Sequence, residues 1–173
     1  MDVNKELIAK GINTKVIGAE GLSNELMART KNNTGDVFVS IHHDSIKNEW
    51  MNEVDKFKGF SIFISRKNKE LEKSTVCAMA VGLEMVKTGF RSSLYHAMDV
   101  EGERREIVSK EFGVHYYDDL IVLKHNKHPS ILVEAGVIVN QNDELRVTSD
   151  VGRKLLAKAI SNGLVNCLES FEH

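Results

Sequence analysis

The sequence predicts an α/β domain with a mostly parallel central sheet flanked by helices on both faces. Three observations predict it. Strand-like apolar runs and helix-period stripes alternate along the chain. Two of the runs, within Asp36–Ser45 and Pro129–Asn140, are rich in β-branched and aliphatic residues, the composition of strands buried on both faces. Both runs end in groups able to bind metal or move protons, at the strand ends where open α/β sheets place ligand crevices.

Length and composition bound the rest. The 173 residues fit one domain, residues 1–173, and 42% hydrophobic content supplies a core. Formal net charge is −2 with acids and bases interspersed, so no basic stripe points to nucleic acid and no acidic tail to disorder. No apolar run approaches the ~20 residues of a membrane span. The first residues, Met1–Glu6, lack the apolar stretch of a signal peptide. The two cysteines, Cys77 and Cys167, sit in helical patterns among apolar neighbours and read as buried free thiols rather than a disulfide or redox pair.

Residues 2–10 read as a helix that Asp2 can cap and Gly11 stops. Asn13–Ile17 is a short strand candidate and Gly18–Gly21 a turn. Ser23 can cap a helix to about Asn32, with Leu22, Leu26 and Met27 inward. Residues 44–58 read as a loop or short helix near the crevice, with Trp50 more a packed lid than a binding platform. Phe60–Ser65 is a strand. A helix over about Lys69–Lys87 carries Leu71, Thr75, Ala78, Met79, Gly82, Leu83 and Val86 at helical spacing. Residues 91–118 are the least legible, with the charge cluster Gly102–Glu106 read as a solvated helix face. Leu120–Leu123 is a short strand candidate, Asn142–Glu144 starts a short helix, and Asp150 caps a last helix with Val151, Leu155, Ala159, Ile160 and Leu164 inward.

The chemistry concentrates at His42 and Glu134. A lone carboxylate at the end of a buried strand costs several kcal/mol, on the order given for desolvated ions, unless it is paired or used. Gly136 and Asn140 then let the chain turn away. If the two strands neighbour each other, His42 and Glu134 face one crevice. They then act as zinc ligand and general base, or form a structural hydrogen-bonded pair. His96, Asp99 and Glu101 read as surface residues of a polar loop rather than a metal cluster. His125 and His128 have HxxH spacing, but Pro129 argues against a helical zinc pair.

Val39-Ser40-Ile41-His42-His43-Asp44-Ser45 and Pro129-Ser130-Ile131-Leu132-Val133-Glu134-Ala135-Gly136, followed by Asn140, resemble the zinc-dependent N-acetylmuramoyl-L-alanine amidases of bacterial cell walls and phage lysins. Leu26–Arg29, Lys58-Gly59-Phe60 and Leu120–Leu123 look like the same family, from about Gly11 to the C-terminus. The resemblance implies a three-layer α/β fold, zinc as cofactor, His42 as a zinc ligand and Glu134 as the catalytic carboxylate. His43 would have no direct metal role. The substrate would be peptidoglycan, cut between the lactyl group of N-acetylmuramic acid and L-alanine, outside the cytoplasm or in the cell wall.

Two departures stand out. Such amidases begin with a Gly-His-Gly strand and a helix-start glutamate that supply further zinc ligands; this chain has no Gly-His-Gly, and Glu6 lies too near Gly11 to be that glutamate. Val137 stands where the family has Phe or a similar large group. The expectation is a domain truncated at its N-terminus that binds zinc weakly and hydrolyses peptidoglycan poorly. The alternatives are a site rebuilt from His43, Asp44, His96 or Asp99, or completion by another copy. An exposed sheet edge would favour a homodimer. Other classes remain open: a non-catalytic peptidoglycan-binding module, a carboxypeptidase-like zinc peptidase, or a structural or interaction domain with Glu134 bonded to Arg29 or a backbone group.

Overall fold

The computed structural model describes residues 2–17, 30, 33–99 and 102–172. The expected turn at Gly18–Gly21, the helix from Ser23, and the side chains of Leu26, Met27 and Arg29 lie outside these residues, as does Glu101.

Among the described residues the order is helix α1 (Asp2–Ala9), strand β1 (Phe38–Asp44), a 3-10 helix (Asn48–Lys56), β2 (Ser61–Ile64), α2 (Leu71–Lys87) and a 3-10 turn (Tyr95–Ala97). Then follow β3 (Ile107–Ser109), β4 (Val114–Tyr116), α3 (Ile121–Lys124), β5 (Ser130–Val137), α4 (Gln141–Thr148) and α5 (Asp150–Glu169). The five strands form one sheet in the order β1-β5-β2-β4-β3. β1 runs parallel to β5 and β2 to β4, while β2–β5 and β3–β4 are antiparallel. The α/β class therefore stands, on a mixed sheet.

Side chains alternate across a strand, and this sorts the interior into two layers. Ile62, Ile64, Ile131, Val133 and Ala135 face α1, α2 and α5 in the main core. Phe63 and Leu132 face the other way, against Leu123 of α3, with Tyr117, Leu120 and Val122 around them. Glu134 shares the face of Leu132.

α2 and α5 approach closely because α5 puts Gly163 at their crossing: a Cβ there would lie 2.4 Å from the Val81 Cα, whereas Gly82 of α2 makes room for Phe112 of the β3–β4 turn, 2.6 Å from where its Cβ would be. Cys77 and Cys167 face each other across this contact with Cα atoms 4.8 Å apart and are joined as a disulfide. This corrects the free-thiol reading: neighbours in sequence are apolar, but the partner comes from a helix 90 residues away.

Other expectations are corrected in the same way. Residues 13–17 form no strand. Leu120–Leu123 contributes a cap and a helical turn, α3, rather than a strand. Gly102–Glu106 is turn and irregular chain leading into a β-hairpin, because Gly102 and Gly113 take positive φ where a continuing helix or strand cannot. The buried face of α2 is Ser74, Cys77, Ala78, Val81, Gly82 and Met85, with Leu83 exposed, since the small residues set the helix contact. On α5, Ser149 rather than Asp150 is the cap, accepting from the Gly152 N–H, and Val151 is 70% exposed.

At the end of β5, Gly136 stays within the strand, with Asp143 packed against it. The turn comes later: the Asn140 side chain accepts from the N–H groups of Asn142 and Asp143 and starts α4. The Asp143 carboxylate in turn accepts from the N–H groups of Gly59 and Val137 at 2.7 and 3.0 Å. It ties the tip of β5 to the entry of β2 and holds the strand end that carries Glu134.

Candidate active site

The parallel register of β1 and β5 pairs His42 directly with Glu134, and the antiparallel register of β2 pairs Ser61 with Glu134. Register partners project to the same face, on strands about 4.8 Å apart. Phe63 pairs with both Leu132 and His115, which extends the row across the sheet. Ser61, Glu134 and His42 thus form one line of polar groups over the layer that faces away from α2 and α5.

The side-chain contacts are more selective than the register. His42 is solvent-exposed and its Nε2 lies 2.8 Å from Ser40 Oγ, on its own strand. Partial packing against the sheet and then the charge of His43 hold its pKa below the ordinary imidazole value. Glu134 instead meets His96. The His96 Nε2 lies 3.0 Å from Asp44 Oδ2 and 3.4 Å from Glu134 Oε2. The first is a hydrogen bond; the second is an ion-pair distance that leaves Glu134 Oε2 buried without a hydrogen-bond partner. His96 is 5% exposed, so its reading as a surface loop residue is corrected. Ring packing against Phe63, Tyr95 and His115 draws the 3-10 turn inward; the alternative of a site rebuilt from Asp44 and His96 is the sequence reading that this placement matches.

Electrostatics follows from burial and pairing. Burial would lower the His96 pKa, but the interactions with Asp44 and Glu134 outweigh it and raise it to about 9. Glu134 is raised above the ordinary carboxylate range by burial, with the Asp44 charge adding to the effect and His96 opposing it. Tyr95, beside the cluster, is pushed up to about 12 by burial and then by Glu103 and Asp44.

Asp44, His96 and Glu134 each offer one ligand atom, and the three atoms lie within 4.8 Å of one another. One imidazole and two carboxylates, one with an unpartnered oxygen, fit a divalent cation of the zinc class. Of the other residues weighed from sequence, His43 is exposed, and Asp99 is an exposed partner of Arg104. His128 Nε2 lies 3.0 Å from the Asn33 carbonyl.

Residues 2–166 match the family described as N-acetylmuramoyl-L-alanine amidase. A curated relative, the probable cell wall amidase LytH of Staphylococcus saprophyticus, is 25% identical over 134 residues, 78% of this chain and 36% of the relative. The chain therefore spans about a third of that relative's length. Among solved structures, the N-acetylmuramyl-L-alanine amidase Ami1 of Mycobacterium smegmatis superposes with a TM-score of 0.74 at 22% identity, over 98% of this chain and 74% of that one. Ami1 of Mycobacterium abscessus gives 0.75 at 23%, over 96% and 73%. At these identities the structures speak for the fold, while the match over residues 2–166 speaks for descent: the chain belongs to the N-acetylmuramoyl-L-alanine amidase family.

Proposed function

We propose that this chain acts as one catalytic domain on bacterial peptidoglycan, at the cell wall, hydrolysing the amide between N-acetylmuramic acid and the L-alanine of the stem peptide. The observation that carries the reading is Glu134: a half-buried carboxylate at the tip of β5, raised in pKa, with one oxygen buried and unpartnered. A carboxylate so placed is suited to take a proton from water and pass it to a leaving amine. Asp44 and His96, with His42 in register beside Glu134, are the residues that would hold zinc. A zinc ion, when bound, supplies a Lewis acid for the amide carbonyl and lowers the pKa of water toward ~7. Asp44 engages the one buried imidazole of the set, so zinc is held weakly in the isolated chain.

The test supplies zinc to the purified chain with peptidoglycan and looks by mass spectrometry for released peptides with a free L-alanine amino terminus. Their release supports the reading; none at saturating zinc overturns it. Metal analysis of His42→Ala and His96→Ala reports which imidazole holds the ion, and unchanged zinc content in both variants excludes the set named above. One observation favours a second reading, a non-catalytic peptidoglycan-binding module: the His96 Nε2 lies 3.0 Å from Asp44 and 3.4 Å from Glu134, so a charged imidazole can neutralise both carboxylates by itself. Binding to purified peptidoglycan without peptide release marks that outcome. β1 lies at one margin of the sheet among the described residues. That placement supports a homodimer joined there, and a molecular mass by solution scattering that stays monomeric at every concentration speaks against it.

A further inference from the structure

The 3-10 turn that carries His96 is met from its far side by a returning chain. Gly102, at a φ of +81°, turns the backbone there, and the Arg105 N–H donates to the His96 carbonyl. The return puts Glu103 beside the imidazole, with its Oε2 3.7 Å from His96 Nδ1. Asp44 and Glu134 lie 3.0 and 3.4 Å from Nε2, on the other edge of the ring. The buried imidazole thus stands between carboxylates at both of its nitrogens.

The two edges have different tasks. Nε2 faces the carboxylates that complete the candidate metal set. An imidazole that binds a metal through one nitrogen carries its proton on the other. Here the other is Nδ1, which is buried and has no hydrogen-bond partner among the described residues. A buried N–H without an acceptor disfavours the state that needs it. Glu103 is placed to be that acceptor. At 3.7 Å it is an ion-pair neighbour, and closing by about 0.8 Å makes the hydrogen bond. Glu103 sits in a turn with its side chain partly exposed, which gives it room for that movement.

Ring packing does not choose between the edges. Phe63 and Tyr95 lie with centroids 4.9 Å from His96, and His115 at 6.2 Å, so the plane of the imidazole is held. A half-turn about χ2 keeps that plane and puts carbons where the nitrogens stood. Only polar groups tell the two poses apart, and Glu103 is the one that acts at Nδ1.

On the reading that Asp44, His96 and Glu134 hold zinc, we infer that Glu103 is a positioning residue: it accepts from His96 Nδ1–H and holds Nε2 toward Asp44 and Glu134. A carboxylate in this place fixes the ring and raises the basicity of the nitrogen that binds the ion. Glu103 itself acts only through His96.

The experiment compares the full chain with Glu103→Gln and Glu103→Ala at neutral pH. Chelator competition measures zinc affinity. NMR of the chain labelled with 15N-histidine follows the His96 Nδ1–H, assigned by its loss in His96→Ala. The wild type should show that ring proton protected from exchange with water, with and without zinc. Glu103→Ala should lose the protection and bind zinc ~10–100-fold more weakly. Glu103→Gln, whose amide oxygen still accepts, should keep the protected proton and stay within about threefold of wild type in zinc affinity. Wild-type zinc affinity in Glu103→Ala overturns the proposal, as does a ring proton equally protected there. Equal weakening in both variants also overturns it, because charge alone is then at work. If His96→Ala keeps the wild-type zinc affinity, the zinc set itself falls, while the ring proton still decides whether Glu103 holds the imidazole.

Discussion

On the sheet face that carries α2 and α5, Ile62, Ile64, Val133 and Ala135 meet helices whose polar side chains are satisfied: Ser74 Oγ donates to the Glu70 carbonyl and accepts from the Ser130 N–H. The opposite face is more open and leaves Ser61 Oγ, His96 Nδ1 and Glu134 Oε2 buried without hydrogen-bond partners. A buried polar atom left unpaired costs about 1–3 kcal/mol. The same strands thus build a stabilising layer on one side and a layer under polar strain on the other. The comparison teaches where reactivity resides: alternation along β5 sends Val133 and Ala135 to the first layer and Glu134 to the second.

Substitutions can break this contrast, and the largest effect belongs to the polar face. Glu134→Gln should lower peptide release by ~10²–10⁴-fold in steady-state assays while leaving the thermal midpoint unchanged or higher, because a buried charge that repels Asp44 is gone. A parallel loss of folding would make Glu134 structural. Next comes the helical face. Replacing Cys77 and Cys167 by alanine opens a cross-link spanning 90 residues and should cost about 4 kcal/mol in urea unfolding. An unchanged urea midpoint on adding reductant to the native protein would show that the sulfurs are not joined.

A pH series sharpens the comparison further. Burial, and then repulsion from His96, lowers His115 to about 4. The unfolded chain, with an imidazole near 6.5, binds the proton first, so stability is present above pH 6.5 and lost as pH falls toward 4. The loss should approach about 3 kcal/mol and shrink in His115→Phe, measured as urea midpoints at pH 7 and 4.5. The smallest effect should come from Gly163→Ala, which forces a Cβ to 2.4 Å from Val81 and should cost about 2 kcal/mol by overpacking, without altering the site face.

Legibility along the sequence follows the range of the interactions. Strands β1, β2 and β5 and helices α1, α2 and α5 were readable because each carries its own periodicity and stop signals, such as Gly11 at φ +79° after α1. Helix faces were less readable. Ala159, Ile160 and Leu164 face the core as expected, but Val151 and Leu155 are exposed and Leu156 is buried instead, because Gly163 and Cys167 set the rotation against α2. His96 enters from sequence only as one of four residues that could rebuild a site, since nothing local shows that Phe63 and His115, far along the chain, pack against it.

By itself the sequence determined the α/β class, the two strand motifs, the membership of the amidase family they announce, and the candidacy of His42 and Glu134. Those features are local, written in side-chain period and in runs of residue type. The tertiary structure alone decided that Glu134 meets His96 and Asp44 and that two cysteines are joined. Each of these joins segments far apart in the chain, and only strand register and helix packing bring such segments within reach.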